Sequence, residues 1–238
     1  MKNYLKMGLT LMLFAIAVAV LLSVVYTITK GPIEDAELNV KLQSIKTVLS
    51  NPEDEELMID ENQIPESEGE LKERVWKSTE EAFLYESSEY KGYVSSPAYK
   101  FSLKDGKPAY VVTGAAVGYG GYVTVMCSFV GELSNLEMMR IQVLDYSQET
   151  PGLGAKIAEK EAKERFFEIP KKALEDGLQV DKDAGVAAAK TDEQVEQYKE
   201  EGVIYISDIM TGATITPRGV ANAVNTMFDY LKKELGGE

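Results

Sequence analysis

The chain contains no histidine and a single cysteine, Cys127. The first absence removes every catalytic arrangement built on an imidazole, so no Ser-His-Asp triad or Cys-His pair can form within it. The second rules out a four-cysteine iron–sulfur cluster and, with histidine missing too, a typical structural zinc site. An intramolecular disulfide is equally excluded. Cys127 lies in an apolar stretch and reads as a small core residue. Redox chemistry would therefore need an organic cofactor, or a cluster held by another subunit. Acidic charge is also missing from the front of the chain. No Asp or Glu precedes Glu34, and Met7 to Ile28 carries no charge at all.

That uncharged run, rich in Leu, Val, Ala and Met, is long enough to span a bilayer as a helix. Lys2 and Lys6 stand ahead of it. The positive-inside rule then puts the N-terminus in the cytoplasm and the rest outside, as a single-pass protein of the cell (inner) membrane. A cleavable signal peptide is the competing reading. The run is longer than a usual signal core, and no Ala-x-Ala site follows it. All 39 acidic residues lie beyond the run, as do all but Lys2 and Lys6 of the 25 basic ones, within a net charge of −14. The domain that follows should be repelled by nucleic acid and anionic lipid, and no nucleic-acid partner is expected. A hydrophobic content of 45% predicts a packed core.

Four segments follow from this pattern: 1–6 cytoplasmic, 7–28 transmembrane, 29–89 an extracytoplasmic helical and acidic connecting region, and 90–238 a folded domain. Leu38, Leu42, Ile45, Val48 and Leu49 mark an amphipathic helix, which Gly31-Pro32 should bend or separate from the span. Residues 51–70 read as a surface excursion or mobile insertion. A helix is expected over 71–85, with Val75, Ala82 and Phe83 turned inward and Trp76 packing. From Tyr99 the pattern becomes β. Ala109–Ala116, Tyr122–Val130 and Leu136–Tyr146 read as strands, with a turn at Lys104–Lys107. Helices are expected near 155–167 and 192–200, the latter capped by Thr191 with Gln194 and closed by Gly202. A strand at Val203–Ile206 precedes a helix whose N-cap would be Thr216, with Pro217 at its first position. The predicted class is α+β, a mainly antiparallel sheet with flanking helices.

Two motifs carry chemistry. In Asp208-Ile209-Met210-Thr211-Gly212-Ala213-Thr214 a hydroxyl sits between a glycine turn and a helix start. Helix starts offer unpaired N–H groups and positive partial charge, so they attract phosphate. The same stretch also reads as an ordinary strand–turn–helix junction. In Glu149-Thr150-Pro151-Gly152-Leu153-Gly154, Pro-Gly specifies a tight turn and the glycines let a ligand approach the backbone. Leu153 could cover an apolar ring, although the loop would equally serve as a plain β-to-α connection. Gly118-Tyr119-Gly120-Gly121 is a weaker third signal, equally readable as a hairpin turn.

The 208–214 run fits Asp-x-x-Ser/Thr-Gly-Ala-Thr/Ser and resembles the covalent flavin-attachment site of the FMN-binding domains of Rnf and Na⁺-NQR complexes. The 149–154 loop closely resembles the Glu-Thr-Pro-Gly-Leu-Gly loop of the same family, which lies against the flavin ring. The likeness extends over about 90–235, and the anchor fits it. The family's G subunit in Rnf is the nearest pattern, and the C subunit of Na⁺-NQR, the Na⁺-translocating NADH:quinone reductase, is the runner-up. The resemblance implies FMN joined by phosphoester to Thr214, with Thr211, Gly212, Ala213, Glu149, Thr150, Gly152, Leu153, Gly154, Tyr119 and Gly120 around the cofactor. It implies that Asp208 is read by a separate, Mg²⁺-dependent flavin transferase that uses FAD; Asp208 could also cap the Thr211-Gly212 turn. It implies an electron relay without substrate chemistry of its own, in a ferredoxin:NAD⁺ oxidoreductase that translocates ions. The partners would be other membrane subunits, including a second flavin-bearing one and iron–sulfur subunits. Many relatives have a histidine where this chain has Ser147-Gln148. A membrane-tethered scaffold module without flavin is the alternative of a different class.

Overall fold

A computed structural model describes residues 2–236. The chain divides between Gln43 and Ser44 into two units. The first is most of a single helix, α1 (Lys2–Val48), long and apolar enough from Asn3 to cross a membrane. The helix is not interrupted at Gly31-Pro32, because Pro32 lies inside it. Proline removes one hydrogen bond and adds a local clash, a cost of roughly 3 kcal/mol that the many remaining bonds of a long helix can absorb.

The second unit is built on a seven-stranded antiparallel sheet. After a short helix α2 (Glu68–Glu73) come β1 (Val75–Lys77), β2 (Phe83–Ser87), β3 (Gly92–Ser95) and β4 (Ala98–Ser102). Then follow the long strands β5 (Pro108–Val117), β6 (Tyr122–Val130) and β7 (Glu137–Asp145). One edge of β5 pairs along its length with β6, which pairs with β7; its other edge is shared between β4 at one end and β3 at the other. Further on lie α3 (Lys160–Glu164), α4 (Lys171–Asp176), β8 (Gln179–Val180), α5 (Asp181–Ala184), α6 (Asp192–Glu200), β9 (Val203–Ile204) and α7 (Ile215–Gly236). β8 and β9 form a small parallel pair.

Alternation along β5 sorts its side chains between two faces. Val112 and Ala116 join the main core, where Val220, Val224, Met227 and Leu231 of α7 recur at helical spacing. Val111 belongs to the opposite face, with Phe101, Ile59 and Leu49, all buried. There the fully buried Ser128 hydroxyl donates to the Val48 carbonyl at 2.5 Å. Arg140 of β7 reaches the Asn51 carbonyl at 3.2 Å and both Glu55 carboxylate oxygens at 2.8 Å.

These contacts revise the reading of 51–85. The acidic stretch is fastened to the sheet: Ser50 bridges Leu57, Ile59 bridges Leu103, and the Gln63 side chain bonds both backbone groups of Ser102. The expected helix over 71–85 is instead the end of α2 followed by β1 and β2. Ala82 and Phe83 are exposed rather than inward. Tertiary pairing with β3 and β4 overrides local helix propensity here. Trp76 does pack, with its ring 4.8 Å from that of Tyr110. The compact unit thus begins at Ser44 and takes in much of the segment read as connecting region.

Candidate functional site

Three segments meet at one end of the sheet. The first is the β5–β6 turn, Gly118–Gly121, closed by the Gly118 N–H donating to the Gly121 carbonyl at 2.7 Å. The second is the loop after β7, which turns at Gly152 (φ +73°) and enters a 3₁₀ turn at Gly154–Ala158. The third is the 207–214 run leading into α7, which turns at Gly212 (φ +82°). Together they enclose a pocket of about 330 Å³, lined by both motifs through Glu149, Thr150, Leu153, Gly154, Gly212–Thr216 and by Tyr119.

Glu149 holds the three segments together. Its carboxylate is buried and accepts from the N–H of Tyr119 at 2.9 Å and of Gly120 at 3.2 Å, both through Oε1. Its Oε2 accepts from the Thr216 hydroxyl. Glycine is needed where this carboxylate passes: a Cβ at Gly118 would lie 2.5 Å from Oε1, and one at Gly154 would lie 2.6 Å from Oε2. Glu149 therefore acts as a clasp across the pocket floor, and its oxygens are already engaged by the protein.

Thr216 is not the N-cap that the sequence suggested. The helix begins at Ile215, and Thr216 is buried within its first turn, where its hydroxyl serves Glu149. Thr214 is the residue at the helix boundary, half-buried, and its carbonyl accepts from Arg218 N–H at 3.2 Å. The N–H groups of Ile215 and Thr216 lie too early in α7 for intrahelical acceptors, and Pro217 has none. The Thr214 hydroxyl thus stands at the positive end of a 22-residue helix.

Asp208 lies apart from the pocket. It lines a second, larger cavity of about 660 Å³ between α3, α6 and β9, where Arg165 donates to it at 2.8 Å. Its other oxygen accepts from the adjoining Ile209 N–H, so it does not cap the Thr211-Gly212 turn. Thr211 instead donates to the Ser207 carbonyl at 2.9 Å. The roles of Thr216 and Ile215 in the site, and the Arg165 partner, were missed from sequence. Thr216 carried one signal, a hydroxyl two residues past the motif; Arg165 carried none.

A phosphorylated isoalloxazine cofactor fits this geometry. Helix N–H groups at Thr214 suit its phosphate. Tyr119, Leu153 and Ile215, all exposed, offer apolar surface to a ring. The volume is at the small end for ligand pockets, so a group of that size would be cradled on one side and left open on the other.

A family profile described as FMN-binding domain matches residues 118–229, and one described as RnfG N-terminal region matches residues 1–48. The fold resembles the crystal structure of a Thermotoga maritima protein assigned as an RnfG subunit of an electron transport complex. Identity is 34%, covering 82% of this chain and 96% of that one, with a TM-score of 0.62. The chain belongs to the RnfG family. Shewanella oneidensis NqrC is a looser likeness, at 16% identity over 80% of this chain and 83% of that one, with a TM-score of 0.41. No curated protein matches. Within this RnfG-family chain the FMN-binding match opens at Gly118, in the turn that Glu149 clasps, and takes in both motifs.

Proposed function

We propose that this chain is the membrane-anchored electron relay of an Rnf complex, with FMN joined by phosphoester to Thr214. The observation that carries the reading is the convergence of the 149–154 and 208–214 motifs on one pocket at the start of α7. FMN would supply reversible electron acceptance, which the side chains of a chain without histidine or clustered cysteine lack. Thr214 is an attachment point, with no proton-transfer role. The helix N-terminus would stabilise the phosphoester's negative charge, and the Glu149 clasp fixes the backbone of Tyr119 and Gly120 at the pocket that would hold the cofactor. Because attachment is at the phosphate, the ring stays free for electron exchange.

Loading would use a separate flavin transferase that reads Asp208 as part of its signal. Thr214 would receive the FMN half of FAD as a phosphoester, with AMP released and the hydroxyl proton taken up by the transferase. The Arg165–Asp208 pair would have to open or be read intact. The neighbouring partners are the complex's membrane subunits, among them a second flavin-bearing one and iron–sulfur subunits. The match of residues 1–48 to the RnfG N-terminal region favours Rnf over Na⁺-NQR.

Protein made with the transferase should carry flavin that fluoresces in a denaturing gel, and Thr214→Val should lose it while keeping the fold. Folded wild-type protein that never acquires flavin would favour the scaffold reading instead. The Lys2 and Lys6 flank supports a cytoplasmic N-terminus. A cysteine placed at Glu66, which is exposed, should react with an impermeant maleimide in intact cells unless partner subunits cover it. Reaction only after membrane rupture would reverse that orientation.

A further inference from the structure

The 207–214 run leaves β9 and enters α7, so Thr214 has one position only if both ends of the run are fixed. The same short helix, α5, holds both ends. Asp181 is buried, and its Oδ1 accepts the N–H of Ile206 at 3.2 Å and of Ser207 at 3.3 Å. Two residues on, Asp183 receives the Arg218 guanidinium through both carboxylate oxygens. Arg218 lies near the start of α7, four residues after Thr214. Aspartate is seldom fully buried unless its oxygens are engaged, and those of Asp181 serve the segment that leads to Thr214.

Hydrogen bonds run step by step between the two carboxylates. The Ile206 carbonyl accepts from the Met210 N–H at 2.9 Å, and the Met210 carbonyl from the Ala213 N–H at 3.2 Å. The next residue, Thr214, accepts from the Arg218 N–H, and the Arg218 side chain returns to Asp183. Met210 pins the middle of the run by burying its side chain. α5 is in turn registered on α7. Asn225 clamps the Leu178 backbone, accepting its N–H at 2.8 Å and donating to its carbonyl at 3.0 Å. Asn225 stands seven residues after Arg218, two turns along the same face of the helix. Residues 178–183 are therefore fastened to α7 at both ends, while β8 within them pairs with β9.

We propose that Asp181, together with the Asp183–Arg218 pair, positions the attachment loop: α5 sets the separation between the end of β9 and the head of α7. That separation fixes where the Thr214 hydroxyl is presented and how a group attached to it is held. The part concerning the attached group rests on the FMN reading above; the bracing of the loop does not. Neither Asp181 nor Asp183 lines the pocket, so both act through the backbone rather than on a cofactor.

The full chain tests this as wild type, Asp181→Ala, Asp181→Asn and Asp183→Ala, first without flavin and then with the transferase and FAD. Without flavin, amide exchange at Ile206 and Ser207 should quicken about tenfold or more in Asp181→Ala, while β5 and β6 keep their wild-type protection. Asp181→Asn retains an acceptor oxygen and should stay within about threefold of wild type. With the transferase, both Ala variants should take up flavin about tenfold more slowly, because a displacement of about 1 Å is enough for such a loss. The flavin they do carry should show lower fluorescence anisotropy than that of the wild type, which a contribution to stability alone would leave unmoved. Wild-type exchange at 206 and 207 in Asp181→Ala would overturn the bracing, and so would an Asn variant as fast as Ala. Wild-type loading and anisotropy in both Ala variants would overturn the positioning role. Should Asp181→Ala open the sheet as well, Asp183→Ala, whose ion pair is partly exposed, carries the loading and anisotropy comparison. Wild-type chain that takes up no flavin would reject the FMN reading, and exchange at 206 and 207 would then decide the bracing alone.

Discussion

Glu149 and Thr216 are joined by a buried hydrogen bond between a loop and a helix 67 positions apart in sequence. The hydroxyl donates to Oε2, while Oε1 accepts two backbone N–H groups of the β5–β6 turn. Removing the side chain at one stroke would leave three donors without a partner. The Thr216 hydroxyl is buried, so leaving it unsatisfied costs about 1–3 kcal/mol, whereas Tyr119 and Gly120 lie in an exposed turn where water can replace the carboxylate.

Glu149→Ala and Thr216→Val should therefore each lower the urea-unfolding free energy by about 1–3 kcal/mol, Glu149→Ala by the larger amount. Glu149→Gln should cost less than either. Its amide oxygen can still accept from Tyr119 and Gly120, and its amide nitrogen can donate to the Thr216 oxygen. If Gln proves as damaging as Ala, the carboxylate's charge rather than its bonding holds the site.

The two glycines of the 149–154 loop should fail differently. Gly152 has φ +73° and open space around its Cβ position, so Gly152→Ala meets only backbone strain of roughly 1–2 kcal/mol. Gly154→Ala would press against Glu149 Oε2 and the Thr216 hydroxyl, both 2.6 Å from the new carbon. It should shift the absorbance of bound flavin, whereas Gly152→Ala should leave it near that of the wild type. Identical spectra in both variants would place the clasp away from the ring.

Acid should loosen the contact between the 51–60 segment and β7. The hydrogen bond from Arg140 holds the Glu55 carboxyl below its ordinary value of 4.5, with burial opposing and the charges of Arg140, Lys160 and Lys163 assisting. The folded value lies below the unfolded one, so this stabilisation is present above the ordinary carboxylate range and is lost as pH falls through the lowered value. Glu55→Gln should cost stability at neutral pH, and the gap from wild type should close on acidification in denaturant titrations. Glu55 is more than half exposed, so the effect will be small.

Much of the site was legible because its residues obey local rules. Pro151-Gly152 announces a turn, and Thr211–Thr214 before an apolar helical repeat announces a helix start; neither depends on distant chain. The long strands β5, β6 and β7 were legible from their β-branched runs. What stayed hidden was set by tertiary pairing. Residues 75–87 carry a helix-compatible pattern and become strands because β3 and β4 offer edges to them. Thr216 looked like a cap because hydroxyls usually cap; only Glu149, folded against it, gives it another task. Arg165 and Asp208 are 43 positions apart, and no local pattern links them.

The most direct test is peptide mapping of the full chain purified from cells that supply the flavin transferase. Trypsin should release Glu200–Arg218, which contains Thr211, Thr214 and Thr216. The account predicts that this peptide carries the mass of one FMN less one water, and that its fragment ions place the group on Thr214. An unmodified peptide from protein that holds flavin tightly, or the flavin group found on Thr211 or Thr216, would contradict it.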